Sequence, residues 1–365
     1  MTDSTADEIW MLQALDLAER GRGLTSPNPM VGAIVVGGDG AVAGAGFHER
    51  AGDDHAEVRA LAAAGEAARG ATLYCTLEPC SHRGRTPPCV DRIVKAGVAR
   101  VVVALRDPNP RVDGRGLAHL RRAGIRVDVG VCSKEAARQN GAFLTWMSQG
   151  RPFVTMKVAI SRDGCIAARE GQRTSLTSDD TRKVVHALRA EVDAIGVGST
   201  TVLVDDPLLT ARIAPRNRPL TRVVFDRRLR TPPSASLLGT LGAGPVVVLT
   251  AEQALEQHPD RAQRLADAGA EVEVVPAGRT MRDGLVRLAR REITSLVLEG
   301  GRRLHESAWR GGIVDHVQIF VAPKTLGRRA VPWLDRRELF GALEQRRMRA
   351  CGPDLLIEGH VHRTD

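Results

Sequence analysis

Four side chains in the first half of the chain have the types and spacing of a catalytic zinc site. His55, Cys80 and Cys89 offer one imidazole and two thiol groups, and Glu57 lies two residues after the histidine. Catalytic zinc takes three protein ligands and keeps one position open for water. That water ionises near neutral pH, and a carboxylate beside it can carry its proton. The pattern therefore predicts a hydrolytic zinc site with Glu57 as the proton carrier.

The spacing of these residues indicates the kind of hydrolysis. H-x-E followed by P-C-x-x-C is the signature of zinc nucleobase deaminases, and here Pro79 and Pro88 precede the two cysteines. Proline favours the first turn of a helix, where backbone N–H groups favour a thiolate. Eight residues, SHRGRTPP, separate the cysteines where most such enzymes have two. This basic insertion predicts either a contact with an anionic substrate group or an ordinary solvated loop.

Other histidines and cysteines near the motif have different expected roles. His48 and His82 are rival ligands by type, and we interpret both as loop residues at the mouth of the substrate site. Cys75 lies in the apolar segment LYCTL and is expected to be a small buried thiol.

Alternating strands and helices must position these residues. Strands are predicted at VGAIVV, AVAGAGF, ATLYCTL, VARVVVAL and IRVDVGV, and a Gly-Gly-Asp-Gly turn joins the first two as a hairpin. Helices are predicted at residues 7–20, 55–64, 89–96, 116–124 and 133–147. The first half is therefore expected to be an α/β layer fold around one sheet.

A second alternating pattern follows the segment GRP at residues 150–152, so we predict domains at 1–148 and 149–365. Its strands are FVTMKVAI, DAIGVG, TRVVFD, PVVVLT, EVEVV, SLVLEGG, HVQIFVAP and LLIEGHVH, with a helix at 178–192. The glycine fingerprint G-x-G-x-x-G does not follow any of these strands. The segment Glu299-Gly300-Gly301 can instead bind a pyrophosphate at a helix start, or it is a simple strand–helix turn.

Composition argues against several other functions. The net charge is +9, but arginine supplies all except five of the 52 basic residues, which indicates a bias of the whole chain. Aromatic residues are 3%, too few for base stacking. Apolar runs stay short of the roughly 20 residues of a membrane span, and the N-terminus MTDSTADEIW is unlike a signal peptide. We expect a cytoplasmic protein that binds neither nucleic acid nor membrane.

At TSPNPMVGAIVV, HAEVRAL and TLEPCSHRGRTPPC the chain resembles the bacterial deaminase/reductase family of riboflavin biosynthesis. MKVAISRDG, GSTTVLVDDPLLTAR and LEGG resemble the reductase half of that family. The resemblance implies a cytidine-deaminase-like α/β/α domain and a dihydrofolate-reductase-like α/β domain. It implies deamination of a diaminopyrimidinone ribosyl phosphate, then reduction of the ribosyl group to ribityl. The implied cofactors are one Zn²⁺ per deaminase domain and NADPH, and a homo-oligomer is expected.

The resemblance also implies roles for individual residues. Asn28 would contact the pyrimidine substrate. The positions that match the NADPH site are Ala159, Thr201, Asp205, Gly301, Arg302, Arg303 and Leu304. The positions that match the reductase substrate site are Lys157, Arg189, Leu209, Arg212 and Glu299. The guanidinium groups among them suit a phosphate.

The second half departs from the family pattern at two places, which leaves alternatives open. Arg173-Thr174-Ser175 stands where the family has Ser-Gln-Trp, and Arg162 stands in the family's Ser-Leu-Asp-Gly. One alternative is a deaminase whose C-terminal domain no longer reduces a substrate. Another is a nucleic-acid deaminase with an accessory domain, which a single Tyr and six Phe argue against.

Overall fold

The computed structural model describes residues 3–81, 88–110, 112–213, 216, 218–276 and 280–361. The chain divides into two compact units, Met1–Gly150 and Arg151–Asp365. The predicted boundary between 148 and 149 lies two residues before this division. Within the described ranges, none of the helices combines the length and apolar character needed to cross a bilayer.

The first unit contains one sheet with strand order β2-β1-β3-β4-β5, in which β3, β4 and β5 run parallel. Its elements are α1 (Asp3–Glu19), β1 (Gly32–Val36), β2 (Val42–Phe47), α2 (Ala56–Ala64), β3 (Thr72–Cys75), α3 (Cys89–Ala96), β4 (Arg100–Val103), α4 (Arg115–Arg122), β5 (Arg126–Val129), α5 (Ser133–Gln139) and α6 (Gly141–Gln149).

Helices cover both faces of this sheet. Successive side chains of a strand point to opposite faces, so apolar residues on both faces need helices to cover them. Ala33 and Val35 of β1 pack in the cluster that contains residues of α2, α3, α4 and α6. Ile34 and Val36 pack in the cluster that contains residues of α1 and α5. The expected α/β/α layering is therefore present.

A glycine lets helix α2 approach the sheet. A Cβ on Gly44 of β2 would lie 2.3 Å from the carbonyl oxygen of Ala60 in α2. Backbone therefore packs directly on backbone, which fixes the helix that begins at the predicted His55-x-Glu57 motif.

The single helix predicted at 133–147 is wrong, because the chain forms two helices that meet at Asn140. The Asn140 side chain accepts a hydrogen bond from the backbone N–H of Met30 and donates one to its carbonyl oxygen, both at 2.8 Å. These two bonds hold Asn140 at φ −99°, ψ 20°, where the α5 helix ends.

The second unit contains a larger sheet with strand order β11-β10-β9-β8-β12-β6-β13-β16-β15. Its elements are β6 (Phe153–Ser161), β7 (Cys165–Ala167), α7 (Asp179–Glu191), β8 (Ala194–Gly198), α8 (Ser199–Asp205), β9 (Thr221–Phe225), β10 (Val246–Ala251), α9 (Glu252–Gln257), α10 (Pro259–Asp267), β11 (Ala270–Val275), α11 (Met281–Arg290), β12 (Ser295–Leu298), α12 (Arg302–Arg310), β13 (His316–Ala322), β14 (Val331–Pro332), α13 (Arg336–Gly341), β15 (Leu343–Cys351) and β16 (Asp354–Val361).

The strands from β11 to β13 run parallel, and β16 and β15 complete the sheet in antiparallel pairings. Leu296 and Leu298 of β12 face one apolar cluster, whereas Val297 faces the other. Strand β15 was not predicted, because seven consecutive residues between Leu343 and Cys351 are exposed and lack an apolar alternation.

Candidate active sites

The residues of the predicted zinc site come together in the first unit. His55 is the N-cap of α2, and Cys89 is the first residue of α3. His55 Nδ1 lies 3.2 Å from Cys89 Sγ and 3.6 Å from Cys80 Sγ. One ligand atom from each residue lies within 4.8 Å of the others. One nitrogen and two sulfurs match the ligand types that zinc takes in catalytic sites.

The hydrogen bonds within this group favour a thiolate at Cys80. The contact with the Cys89 side chain, together with those to His55 and to the Cys89 backbone, lowers the pKa of Cys80 to about 4. The hydrogen bond to Cys80 raises the pKa of Cys89 and also raises the pKa of His55 to about 9. The thiolate is the form of cysteine that binds a metal.

The expectation that both cysteines lie in the first turn of a helix is wrong for Cys80, which lies outside a helix. Its thiol nevertheless accepts a hydrogen bond from the backbone N–H of Cys89 at 3.3 Å. That N–H group belongs to the first turn of α3, so one helix start serves both thiols.

Glu57 lies in the first turn of α2 and is 3% exposed. Burial raises the pKa of its carboxyl group, although the charge of His55 and a hydrogen bond with Cys89 act in the opposite direction. A buried carboxyl beside the ligand group, with a pKa above its usual range, is suited to proton exchange.

Asn28 contacts a histidine that the sequence predicts to lie in a loop. Its Nδ2 atom lies 3.1 Å from Nε2 of His48, whose Nδ1 lies 3.3 Å from the carbonyl oxygen of Asp54. His48 is buried, and burial lowers its pKa. Its ring also packs edge-on against His55, with centroids 5.4 Å apart. His48 therefore supports Asn28, while His82 lies outside the described residues.

Cys75, expected to be a small buried thiol, is fully buried in β3. Burial raises the pKa of its thiol well above the usual range, which keeps it protonated. This residue belongs to the apolar core of the first unit.

Three residues predicted for the reductase substrate meet in the second unit. The Glu299 carboxylate accepts two hydrogen bonds from Arg189, at 2.9 and 2.7 Å, and lies 3.6 Å from Lys157 Nζ. Burial alone would raise the pKa of Glu299, but the charges of Lys157 and Arg189 outweigh it and lower the pKa to about 2. The arrangement is a charged cluster with one net positive charge.

The segment at Leu209–Thr210 lies beside this cluster. Arg189 donates to the carbonyl oxygen of Thr210 at 3.0 Å, and the exposed Arg212 lies 3.5 Å from the Thr210 hydroxyl. The Leu209 side chain is buried in the core, and its φ is +53°. The side chain of Leu209, predicted to lie at the substrate site, is therefore part of the core.

Sequence reasoning missed His186, which lies one helical turn before Arg189. The ring is 6% exposed, and burial together with the charges of Arg189 and Arg212 lowers its pKa. The spacing of three residues on a helix was the signal that could have placed it beside Arg189.

The predicted cofactor turn lies at the carboxyl ends of β8 and β12, which are adjacent parallel strands. Strand β8 leads through α8 to β9 on one side, whereas β12 leads through α12 to β13 on the other. Such switch points form a ligand-binding crevice in α/β sheets. Gly301 is the N-cap of α12, and a Cβ there would lie 3.9 Å from Thr201 Oγ1. The fold therefore brings Thr201 and Gly301 together.

The other predicted cofactor residues are distributed around this turn and along β6. Leu304 packs against the turn, since a Cβ on Gly300 would meet its side chain. Arg302 and Arg303 are exposed, and Arg303 lies 3.6 Å from Glu170. Ala159 of β6 packs in a separate apolar cluster that includes Phe320.

The segment at 173–175, which differs from the family pattern, lies near another predicted cofactor residue. Asp205 is the last residue of α8. Burial raises the pKa of its carboxyl group, and the charge of Arg173 offsets only part of this rise. The Thr174 hydroxyl accepts a hydrogen bond from the backbone of Ala168 at 3.0 Å. Arg173 therefore adds a positive charge close to a position matched to NADPH.

Comparison with known proteins assigns each unit to a family. The model "Cytidine and deoxycytidylate deaminase zinc-binding region" matches residues 4–105. The model "RibD C-terminal domain" matches residues 152–357. The riboflavin biosynthesis protein RibD of Aquifex aeolicus is 43% identical over 96% of this chain and 97% of its own length. The RibD protein of Escherichia coli is 38% identical over 96% and 98%.

The chain belongs to the RibD family.

Solved RibD structures agree with this assignment over the whole length. Acinetobacter baumannii RibD has a TM-score of 0.85 at 36% identity and covers 99% of this chain and 100% of its own. A diaminohydroxyphosphoribosylaminopyrimidine deaminase/5-amino-6-(5-phosphoribosylamino)uracil reductase of Thermotoga maritima has a TM-score of 0.83 at 32% identity, over 98% and 99%.

Membership in the RibD family confirms the expected fold class and the two enzymatic activities. The chain is a bifunctional deaminase and reductase of riboflavin biosynthesis. The alternative of a non-reducing C-terminal domain is not favoured, because full-length RibD relatives match both units. The matched domains support zinc and a nicotinamide cofactor in general.

Proposed function

We propose that residues 1–148 deaminate a diaminopyrimidinone ribosyl phosphate with one zinc ion held by His55, Cys80 and Cys89. The observation that carries this proposal is the group of one nitrogen and two sulfurs within 4.8 Å, next to the buried carboxyl of Glu57. When bound, zinc supplies the Lewis acidity that makes water a nucleophile near neutral pH. The name of the Thermotoga maritima relative supports the choice of substrate.

Glu57 is the proton carrier of this proposal. Its carboxylate accepts one proton from the attacking water and donates it to the ring nitrogen. It then accepts the remaining proton of the added hydroxyl group, as the carbonyl forms, and donates it to the amino group that leaves as ammonia. The raised pKa of Glu57 suits this role, because burial makes its carboxylate a better proton acceptor than an exposed one.

Asn28 orients the pyrimidine. The neutral His48 ring donates from Nδ1 to Asp54 and accepts from the Asn28 amide at Nε2, which fixes the amide. With its Nδ2 directed to His48, the Asn28 side chain offers its Oδ1 to an N–H group of the substrate.

The variant Glu57→Gln tests the deaminase proposal. We expect it to retain zinc, measured by elemental analysis, and to release no ammonia from the diaminopyrimidinone substrate. Cys89→Ser should lose zinc, which separates metal binding from proton transfer. Wild-type deamination by Glu57→Gln would refute the role of Glu57, and a wild-type protein that takes up no zinc would refute the metal site.

We further propose that residues 149–365 reduce the ribosyl group of the deaminated product with NADPH. The turn at Gly301 and the residues Arg302, Arg303 and Leu304 would hold the cofactor together with Thr201, Asp205 and Ala159. The support is the switch point between β8 and β12 and the close approach of Thr201 to Gly301. Backbone N–H groups at the start of α12 favour a pyrophosphate.

The charged cluster would bind the phosphorylated substrate. Lys157, Arg189 and Glu299 form a pre-assembled group with an excess of positive charge. Arg212 is exposed beside it and can bind a phosphate through two N–H groups, with the backbone of Leu209 completing the contact. When bound, NADPH supplies the hydride, and these side chains hold the ribosyl group toward it.

The reductase proposal is tested with the deaminated intermediate as substrate. We expect oxidation of NADPH, followed by absorbance, to be faster than oxidation of NADH at equal concentration. Arg303→Ala should reduce that preference, because a guanidinium suits the 2′-phosphate that distinguishes the two cofactors. Equal rates with both cofactors would refute the assignment of NADPH, and the absence of any oxidation would refute the reductase site.

We also propose that the protein is a homo-oligomer. Edge strand β15 exposes seven consecutive residues, and Met348 among them is 70% exposed. An exposed edge strand is a ready surface for pairing with a second chain. Light scattering at micromolar concentration should give a mass that is a multiple of the 39.3 kDa chain, and a monomer mass would refute the proposal.

A further inference from the structure

Glu78 is a buried acidic residue, 4% exposed, that lies two positions before Cys80 and has no part in the chemistry above. Its carboxylate accepts hydrogen bonds from four backbone N–H groups that belong to one stretch of chain. Oε1 accepts from Gly116 at 3.0 Å and Leu117 at 3.3 Å, and Oε2 accepts from Gly114 at 3.0 Å and Asp107 at 3.3 Å.

Three of these N–H groups lie at the start of α4. The N-cap of α4 is Gly114, which has no side chain to accept the free N–H groups of the first turn. A carboxylate at a helix N-terminus is also favoured by the helix dipole. Glu78 therefore caps α4 from a different segment of the chain.

The same contacts bring the start of α4 against the peptide that precedes Cys80. The backbone N–H of Glu78 donates to the carbonyl oxygen of Leu105 at 2.9 Å. A Cβ on Gly116 would lie 2.2 Å from the carbonyl oxygen of Pro79, so only glycine allows this approach. The position of Pro79 is therefore set by α4 on one side and by β4 and its following residues on the other.

Cys80 itself is also held by α3. Its carbonyl oxygen accepts a hydrogen bond from Val90, and its sulfur accepts one from the backbone of Cys89, both at 3.3 Å. The sulfur is thus located by two anchors: the contact with α3 and the contact of Glu78 with α4. Loss of the second anchor would let Cys80 move relative to His55 and Cys89.

We propose that Glu78 is a positioning residue of the deaminase, which sets the place of Cys80 Sγ by fixing the segment before it to the start of α4. This inference rests on the proposed role of Cys80 as a zinc ligand. Groups that orient metal ligands typically change metal affinity or activity by about 10- to 100-fold when they are replaced. We expect Glu78→Gln to lower the deaminase kcat by a factor within that range. The NH₂ group of the glutamine cannot accept the hydrogen bonds that one carboxylate oxygen of Glu78 accepts from the backbone.

The experiment uses the full chain loaded with Co²⁺, whose visible spectrum reports the geometry of its ligands. Glu78→Gln and the milder Glu78→Asp are compared with Glu66→Gln, which makes the same change at an exposed position of the first unit. The reductase rate of each protein measures whether the second unit is folded, and far-UV circular dichroism, compared with wild type, measures whether the first unit keeps its helices. We expect a shifted cobalt band and a lower kcat for both Glu78 variants, a wild-type spectrum for Glu66→Gln, and reductase rates within twofold of wild type.

A wild-type cobalt band in both Glu78 variants overturns the inference even if the rate falls, because Cys80 would then be in place without the anchor. If Glu78→Gln does not fold, the band of Glu78→Asp decides in the same way. A wild-type protein that gives no cobalt–thiolate band would instead refute the proposed metal site, which distinguishes the two failures.

Discussion

Replacing Glu299 with glutamine removes the negative charge that lies between two cations. Lys157 and Arg189 have side chains that are 14% and 13% exposed, so water can compensate their charges only in part. Burial raises the pKa of Glu299, but these cations bring it from its ordinary value of 4.5 down to about 2. That difference corresponds to on the order of 3 kcal/mol of folding free energy.

The pH dependence of this effect has a definite sign. Because the pKa is lower in the folded protein, the stabilisation is present above pH 4.5 and is lost as the pH falls toward 2. We therefore expect Glu299→Gln to lower the free energy of unfolding by on the order of 3 kcal/mol at pH 7 and by roughly half as much at pH 3.

Urea unfolding of the full chain at pH 7 and pH 3, followed by fluorescence, measures both values. The control is Glu306→Gln, which removes an ion pair at 2.8 Å with the exposed Arg310 and should cost less than about 1 kcal/mol. A cost of Glu299→Gln no larger than that of the control, or a cost that is the same at both pH values, would contradict this stabilisation of the Glu299 carboxylate.

Three further predictions concern stability and the metal. Burial lowers the pKa of His305, which is fully buried and accepts the Trp333 indole N–H, to about 4. Its neutral form therefore stabilises the fold above pH 6.5. Urea unfolding should show that the free energy of unfolding falls by roughly 2 kcal/mol between pH 7 and pH 5, and that this fall is absent in His305→Gln. Asp315→Asn breaks a pair with the buried Arg151, at 2.6 and 2.7 Å, and should cost about 3–5 kcal/mol in the same assay; a cost below 1 kcal/mol would contradict this. Removal of metal with a chelator should abolish deamination, leave NADPH oxidation unchanged and be reversed by Zn²⁺; a parallel loss of both activities would contradict separate sites.

The residues of the proposed zinc site could be recognised in the sequence because their positions follow from local rules. His55 and Glu57 are two residues apart at a helix start, and Cys89 follows a proline that precedes another helix. Each of these signals depends only on a few neighbouring residues, so it can be recognised from a short segment of the sequence. The burial of His48 was missed, because it results from packing against Asn28 and His55, which come from other segments.

The charged cluster of the second unit could not be assembled from local signals. Arg189 and Glu299 are 110 residues apart. They meet because β8, which follows the helix of Arg189, pairs with β12, which precedes Glu299. Family resemblance pointed to both residues, but periodicity and composition did not. In the same way the break at Asn140 arises from its bonds to Met30, which helical periodicity does not report.

The bonds between Asn140 and Met30 also determine the smallest piece of chain that could act as an independent deaminase. All five strands of the first sheet are complete at Val129. A chain that ended there would contain every strand of this sheet. The backbone of Met30, two residues from Asn28, would lose both of its hydrogen bonds to Asn140, and the core would lose Phe143. The independent deaminase therefore extends through α6, because its last helices support the loop that contains Asn28.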